Sequence, residues 1–205
     1  MNEHAAPSLS RAPATTQAAE GLPRRPWSVA EIEAMVAAGI IDEDERFELI
    51  GGQVVPMSPK GARHETVKIA LNEFLQRAGL ADVFVAPETT LRLDEKSFLE
   101  PDFCVFPRAL SPGEMRGPDV LLAIEIADTS LAYDLGRKIE VYAAHGVAEV
   151  WVIDARSLRL RLHRGPGADG YGEIREIAPV ESVAAGLVPG LTLSLAAIGL
   201  SPAKD

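Results

Sequence analysis

Two acids and a lysine stand out in residues 101–142, PDFCVFPRALSPGEMRGPDVLLAIEIADTSLAYDLGRKIEVY. Asp102 heads the strand-like run PDFCVF, and Glu125 sits inside VLLAIEIAD, each where an apolar residue would pack better. Lys138 follows on a helical segment. A carboxylate buried without a partner is costly, so it must pair, protonate or bind a metal. Two carboxylates and an ammonium delivered by two strands and a helix can hold a divalent cation with a water beside it.

The alternation of each strand says where its acid points. Strand side chains face opposite sides with period two. Leu122, Ile124 and Ile126 share one face; Leu121, Ala123, Glu125 and Ala127 share the other, so small neighbours leave room beside the acid. Asp102 shares a face with Cys104 and Phe106. If the two strands are neighbours, the acids can meet. Asp134, Lys138, Val141 and His145 fall near one helix face at spacings of three and four. Lys138 borders the apolar stripe of Leu135, Ile139, Tyr142 and Ala143, and its long stem can reach inward with the amine kept polar. Asp134 can position that amine, and Tyr142 reads chiefly as core. The same residues also suit a plain Glu125–Lys138 ion pair, with Asp102 capping a turn after Pro101; ion-pair networks imitate active sites.

The elements that would carry these groups can be read in order. Residues 1–25 are rich in Ala, Pro, Ser and Thr without period and are expected to be a mobile tail. Ser28 with Glu31 forms a capping box for a helix that Gly39 ends. FELI, GG and QVVPM predict a hairpin with Glu48 in its first strand, most simply facing outward. A helix is expected over 63–78, with His64 in its first turn. Asp82–Ala86 and Thr89–Leu93 read as short strands, and Asp94–Ser97 as a turn. Residues 107–119, with three prolines and two glycines, form a loop that could cover the site. A helix over 133–145 between two strands predicts a crossover with parallel neighbours. Ser157–His163 reads as a half-exposed strand and YGEIREI as another. The apolar end of Leu187–Leu200 reads as a short helix, and 201–205 as a tail, leaving one domain over 26–200.

At this point the sequence resembles the Uma2 family of endonucleases within the PD-(D/E)XK superfamily. The matching stretches are FELIGGQVVPMSP at 47–59, His64, PDFCVF at 101–106 and IEIADTSLAYDLGRKIEVYAAHGVAEVWVID at 124–154. The resemblance runs from about Trp27 to the C-terminus. It implies an α/β, restriction-endonuclease-like core: a mixed central sheet flanked by helices, with the N-terminal helix and hairpin added. It also implies hydrolysis of DNA phosphodiester bonds with Mg²⁺, for which Mn²⁺ would substitute. Asp102 matches the PD acid and Glu125 the second acid, the pair expected to hold the metal. The superfamily's lysine normally stands two residues after the second acid, where this chain has Ala127; Lys138 takes its place from the next helix. Glu48 and His64 also match family positions, Glu48 standing for an acid that the superfamily carries on its first helix.

Composition narrows the rest. The 205 residues include 47% hydrophobic ones, enough for a sizeable core. The one cysteine, Cys104, excludes an internal disulfide and fits a reducing cytoplasm. No apolar run approaches the ~20 residues that span a bilayer, and the N-terminus does not read as a secretory signal. The net charge of −10 argues against strong binding to nucleic acid, so weak, salt-sensitive DNA binding is expected, with a basic patch at Arg156, Arg159, Arg161 and Arg164. Cutting both strands of a duplex favours a homodimer. Two other readings stay open: a catalytically inactive module of the same fold that binds a protein or nucleic acid, and a hydrolase of another phosphorylated substrate.

Overall fold

The computed structural model describes residues 25–203. The expected N-terminal tail therefore lies, except for Arg25, outside the described residues, as do 204–205. Helix α1 (Val29–Ala37) has the Ser28–Glu31 capping box, with the Glu31 N–H donating to Ser28 Oγ at 3.2 Å. The hairpin of β1 (Phe47–Ile50) and β2 (Gln53–Pro56) turns on Gly51 and Gly52, at φ +57° and +80°. Two successive left-handed residues are what the tightest hairpin turn demands, and glycine adopts them without penalty.

The remaining elements are α2 (Ala62–Arg77), β3 (Val83–Pro87), β4 (Leu91–Asp94), β5 (Ser97–Leu99), β6 (Phe103–Pro107) and β7 (Leu122–Ala127), then α3 (Leu131–Tyr133), a π-turn at Asp134–Lys138, and α4 (Ile139–Ala144). The chain continues through β8 (Glu149–Asp154), β9 (Leu160–Gly167), β10 (Gly170–Ile177), β11 (Val183–Ala184) and β12 (Thr192–Leu193). A six-stranded sheet runs β10-β9-β8-β7-β6-β3. Only β7 and β8 are parallel; they are joined through the helical segment 131–144, as the crossover rule requires. The sheet is therefore mixed. A four-stranded antiparallel sheet, β2-β1-β5-β4, sits beside it.

Strand β7 is buried at every position because both faces of the central sheet are covered. Leu122, Ile124 and Ile126 join Phe103, Val105 and Trp151 under Val67, Leu71 and Leu75 of α2. Ala123 and Ala127 join Cys104, Val150 and Val152 under Ile139, Tyr142 and Ala143 of α4, with Leu91 and Leu99 of the smaller sheet. The two faces predicted from alternation are the two cores, except that Leu121, expected beside Ala123, packs on the α2 side.

Several local expectations change. A strand, β5, stands beyond the predicted turn, and Asp102 lies one residue before β6, because Pro101 cannot donate to a ladder. Residues 187–200 form β12 and turns rather than a helix; the Pro189–Gly190 turn folds Leu191, Leu193 and Leu195 back onto the α2-side core. Ser201 and Ala203 are tied back through the Arg63 guanidinium and the Arg156 carbonyl. His163 is not half-exposed: it is buried edge-on to Tyr171, and burial with Arg161 nearby lowers its pKa to about 4.

The 107–119 loop is anchored, not a cover. Met115 is buried with its sulfur 3.6 Å from Cys104 Sγ. Gly117 packs so closely that an added Cβ would lie 2.0 Å from the His145 carbonyl oxygen. Backbone cannot yield that much, so Gly117→Ala should cost roughly 1–3 kcal/mol through overpacking. Urea unfolding checks this; an unchanged midpoint would show that the loop is free to lift.

Candidate active site

The β6–β7 register brings the two acids together. Phe103 pairs with Ile124 and Cys104 with Ala123 in an antiparallel ladder, so one step back sets Asp102 opposite Glu125. The Ile126 N–H donates to Asp102 Oδ2 at 2.8 Å and fixes that carboxylate at the end of the ladder. Asp102, Glu125 and Lys138 are all buried, and all three line one open cavity of about 390 Å³ together with Glu48, His64 and Asp134.

Lys138 is the hub. Its Nζ lies 2.8 Å from Glu125 Oε1, 2.9 Å from Glu48 Oε1 and 3.9 Å from Asp134 Oδ1. Asp134 and Lys138 open and close the π-turn and are both buried; such turns recur at functional sites. Burial disfavours the ammonium, yet three carboxylates outweigh it and push its pKa up. Glu125 goes the other way: burial raises its pKa to about 8, Lys138 opposes this, and Asp134, Asp102 and Glu48 add to it. Burial also raises Asp134. The physical picture is a charged Lys138 with more acid around it than one cation can balance.

Glu48 corrects the sequence reading. It faces inward, is 1% exposed, and sits on β1 rather than on a helix. Its Oε2 accepts from Tyr133 at 3.0 Å, and its Oε1 accepts from the Glu100 N–H at 3.1 Å. Tyr142 is more than packing: its hydroxyl donates to Glu125 Oε1 at 2.5 Å, which fixes that side chain's rotamer. His64, in the first turn of α2, places Nε2 3.1 Å from the Asp102 carboxylate.

Two residues escaped the sequence reading. Lys60 places its Nζ 2.9 Å from Asp102 Oδ1 and also pairs with Glu88. Glu88 in turn meets Lys68 at 2.7 Å and Arg46 at 3.4 Å. Burial would raise the Asp102 pKa, but His64 and Lys60 hold it down at about 2. Glu88 is likewise held at about 2 by Lys60 and Lys68, against its own burial. The signal for both residues was tertiary, since 28 positions separate Lys60 from Glu88.

The expected basic patch is neutralised. Arg156 pairs with Asp128, Arg159 and Arg161 with Glu176, and Arg164 with Glu149 and Glu173. A larger hollow of about 770 Å³ opens between α1 and β1, bordered by Pro112 and Gly113 of the 107–119 loop. Four of its acids, Glu33, Asp42, Glu43 and Glu45, are exposed, so the smaller cavity with its buried, convergent charges is the better site.

These shifts set opposite pH dependences. Glu125 keeps its proton in the folded protein while the unfolded chain ionises near 4.5, so it erodes stability as pH rises from there to about 8. Asp102 contributes stability above its ordinary 3.8, lost as pH falls toward about 2. In EDTA, melting temperature should therefore decline from pH 5 to 8, and Glu125→Gln should flatten that slope. An equal slope in the variant would contradict this assignment.

Among the described residues, no three His, Cys, Asp or Glu side chains converge as a ready-made metal cage. Mg²⁺ does not require one. It is commonly held by one or two carboxylates, with water and substrate phosphate completing its shell. Asp102 and Glu125 at a cavity with surplus negative charge fit that donor set.

The Uma2 family model, described as "Putative restriction endonuclease", matches residues 29–196. The chain belongs to the Uma2 family. One solved structure, titled as a putative nuclease belonging to DUF820 from Anabaena variabilis, superposes on this Uma2 chain with a TM-score of 0.66 at 15% identity. The match covers 84% of this chain and 97% of that one, so the two share a fold. No curated protein matches the chain. No described helix is long and apolar enough to cross a membrane.

Proposed function

We propose that this Uma2 chain is a divalent-metal-dependent endonuclease that hydrolyses DNA phosphodiester bonds. The observation that carries the reading is that the β6–β7 register sets Asp102, just before β6, opposite Glu125, at a cavity that Lys138 also lines. Asp102 and Glu125 would hold Mg²⁺, or Mn²⁺ in its place, with a main-chain carbonyl near Ile126. The bound ion supplies polarisation of a phosphoryl oxygen and a water acidic enough to attack.

The chain's own groups do the rest. Asp102 is held as an anion by His64 and Lys60 and is ready to ligate. Glu125 must give up its proton, and Lys138 at 2.8 Å stabilises the anion that results. Tyr142 and Lys138 both sit on Oε1 of Glu125, which leaves Oε2 for a ligand. Lys138 orients the attacking water or offsets charge on the pentavalent phosphorus. Glu48 and Asp134 keep its amine in place. His64 can contact a phosphate oxygen.

Supercoiled plasmid should be nicked with Mg²⁺ or Mn²⁺ and stay intact in EDTA. Hydrolysis of a small phosphodiester without plasmid cleavage would point instead to another phosphorylated substrate. The four paired arginines and the charge of −10 favour weak, salt-sensitive DNA binding. They also favour the second reading, an inactive nuclease-fold module that binds a partner. Calorimetry with Mn²⁺ separates the two, because such a module need not bind metal here. Duplex cutting would call for a homodimer, checked by sedimentation, and the chemistry suits the cytoplasm, where DNA and Mg²⁺ are at hand.

A further inference from the structure

We propose that Lys60 is an exchangeable counter-ion of the site: it neutralises Asp102 in the metal-free protein, yields that place to the divalent cation, and then serves the substrate phosphate. The inference rests on the metal reading above. Its geometry is a bridge. The Lys60 ammonium touches the buried Asp102 on one side and Glu88 on the other. It hangs from the short loop between β2 and α2, so it can shift without moving a strand or a helix. Asp102 Oδ2 accepts from the Ile126 N–H, so Oδ1, where Lys60 sits at 2.9 Å, is the oxygen a divalent ion would take, and the ammonium competes with the ion for it.

Glu88 gives Lys60 somewhere to go. Its backbone is left-handed, at φ +48°, which a side chain other than glycine adopts only at a cost. Its N–H donates to the Asp102 carbonyl at 3.2 Å, which ties that conformation to the site itself. The strain is borne at a residue whose carboxylate gathers Lys60, Lys68 and Arg46, each of which also faces a second acid: Asp102, Glu65 and Glu100. When a divalent ion takes over Asp102, Lys60 is left sharing Glu88 with Lys68, and two lysines on one carboxylate can also receive a phosphate diester. These two lysines, rather than the paired arginines at 156–164, are where substrate charge can be met.

The test is Mn²⁺ calorimetry on the wild type, Lys60→Met, Lys60→Gln, Glu88→Gln and Asp102→Asn, with DNA affinity measured in Ca²⁺ at several salt concentrations. Removing the competitor should tighten Mn²⁺ binding by about tenfold in both Lys60 variants. Glu88→Gln, which takes away the alternative anchor, should weaken it several-fold. Both Lys60 variants should lose about one phosphate contact from the salt slope. Asp102→Asn should bind no Mn²⁺. Wild-type or weaker Mn²⁺ affinity in both Lys60 variants overturns the exchange and leaves the metal site standing. No Mn²⁺ binding by the wild type or either Lys60 variant removes the metal reading and the exchange together.

Discussion

Asp102→Asn and Glu125→Gln are each expected to reduce plasmid cleavage by at least ~10³-fold, because each takes one of only two carboxylate ligands from the ion that would carry the charge of the transition state. The two variants should part company in stability. Asp102 is held at about 2 by His64 and Lys60, so losing its charge removes roughly 2 kcal/mol at neutral pH. Glu125 is raised to about 8 by burial, so a neutral glutamine relieves the site. Without metal, melting temperature should fall by several degrees for Asp102→Asn and rise for Glu125→Gln. Cleavage that survives in the double variant would remove these residues from the chemistry. Shifts of the same sign would mean that the charges are balanced differently from this account.

Lys138→Met carries the largest expected cost to folding. It would leave Glu48, Glu125 and Asp134 buried around a methionine with no cation among them. Breaking a buried pair from one side typically costs 3–5 kcal/mol, a large part of a domain's whole stability. The penalty should shrink in acid, because Glu125 and Asp134, whose pKa values are already raised, take up protons in the folded state. Urea unfolding at pH 5 and pH 8 measures both effects. A loss below about 1 kcal/mol, or one equal at the two pH values, would contradict the buried-charge picture.

The main outline was legible because it depends on near-neighbour rules. Ser28 with Glu31, the Gly51–Gly52 turn and the alternation of Leu122–Ala127 each report local geometry, and each has the predicted form in the fold. The acids at 102 and 125 were visible as polar residues in otherwise apolar strands. Less legible was anything that depended on which side of the sheet a distant element would cover. Glu48 looked outward-facing because FELI alone does not say that Lys138 and Tyr133 will close over it. The arginines at 159–164 looked basic because Glu149, Glu173 and Glu176 face them only after β8 and β10 have paired with β9. The 107–119 loop looked free because the Gly117 contact with His145 is made across the fold.

The sequence by itself determined the kinds of groups available, the strands and helices that carry them, and the family to which the chain belongs. Those follow from side-chain type, period and turn chemistry, all short-range along the chain. Only the tertiary structure decided which charges meet: Lys138 among three acids, Lys60 between Asp102 and Glu88, and arginines silenced by neighbouring strands. Electrostatic energy depends on distance in space and on burial, and neither is written in the spacing of residues.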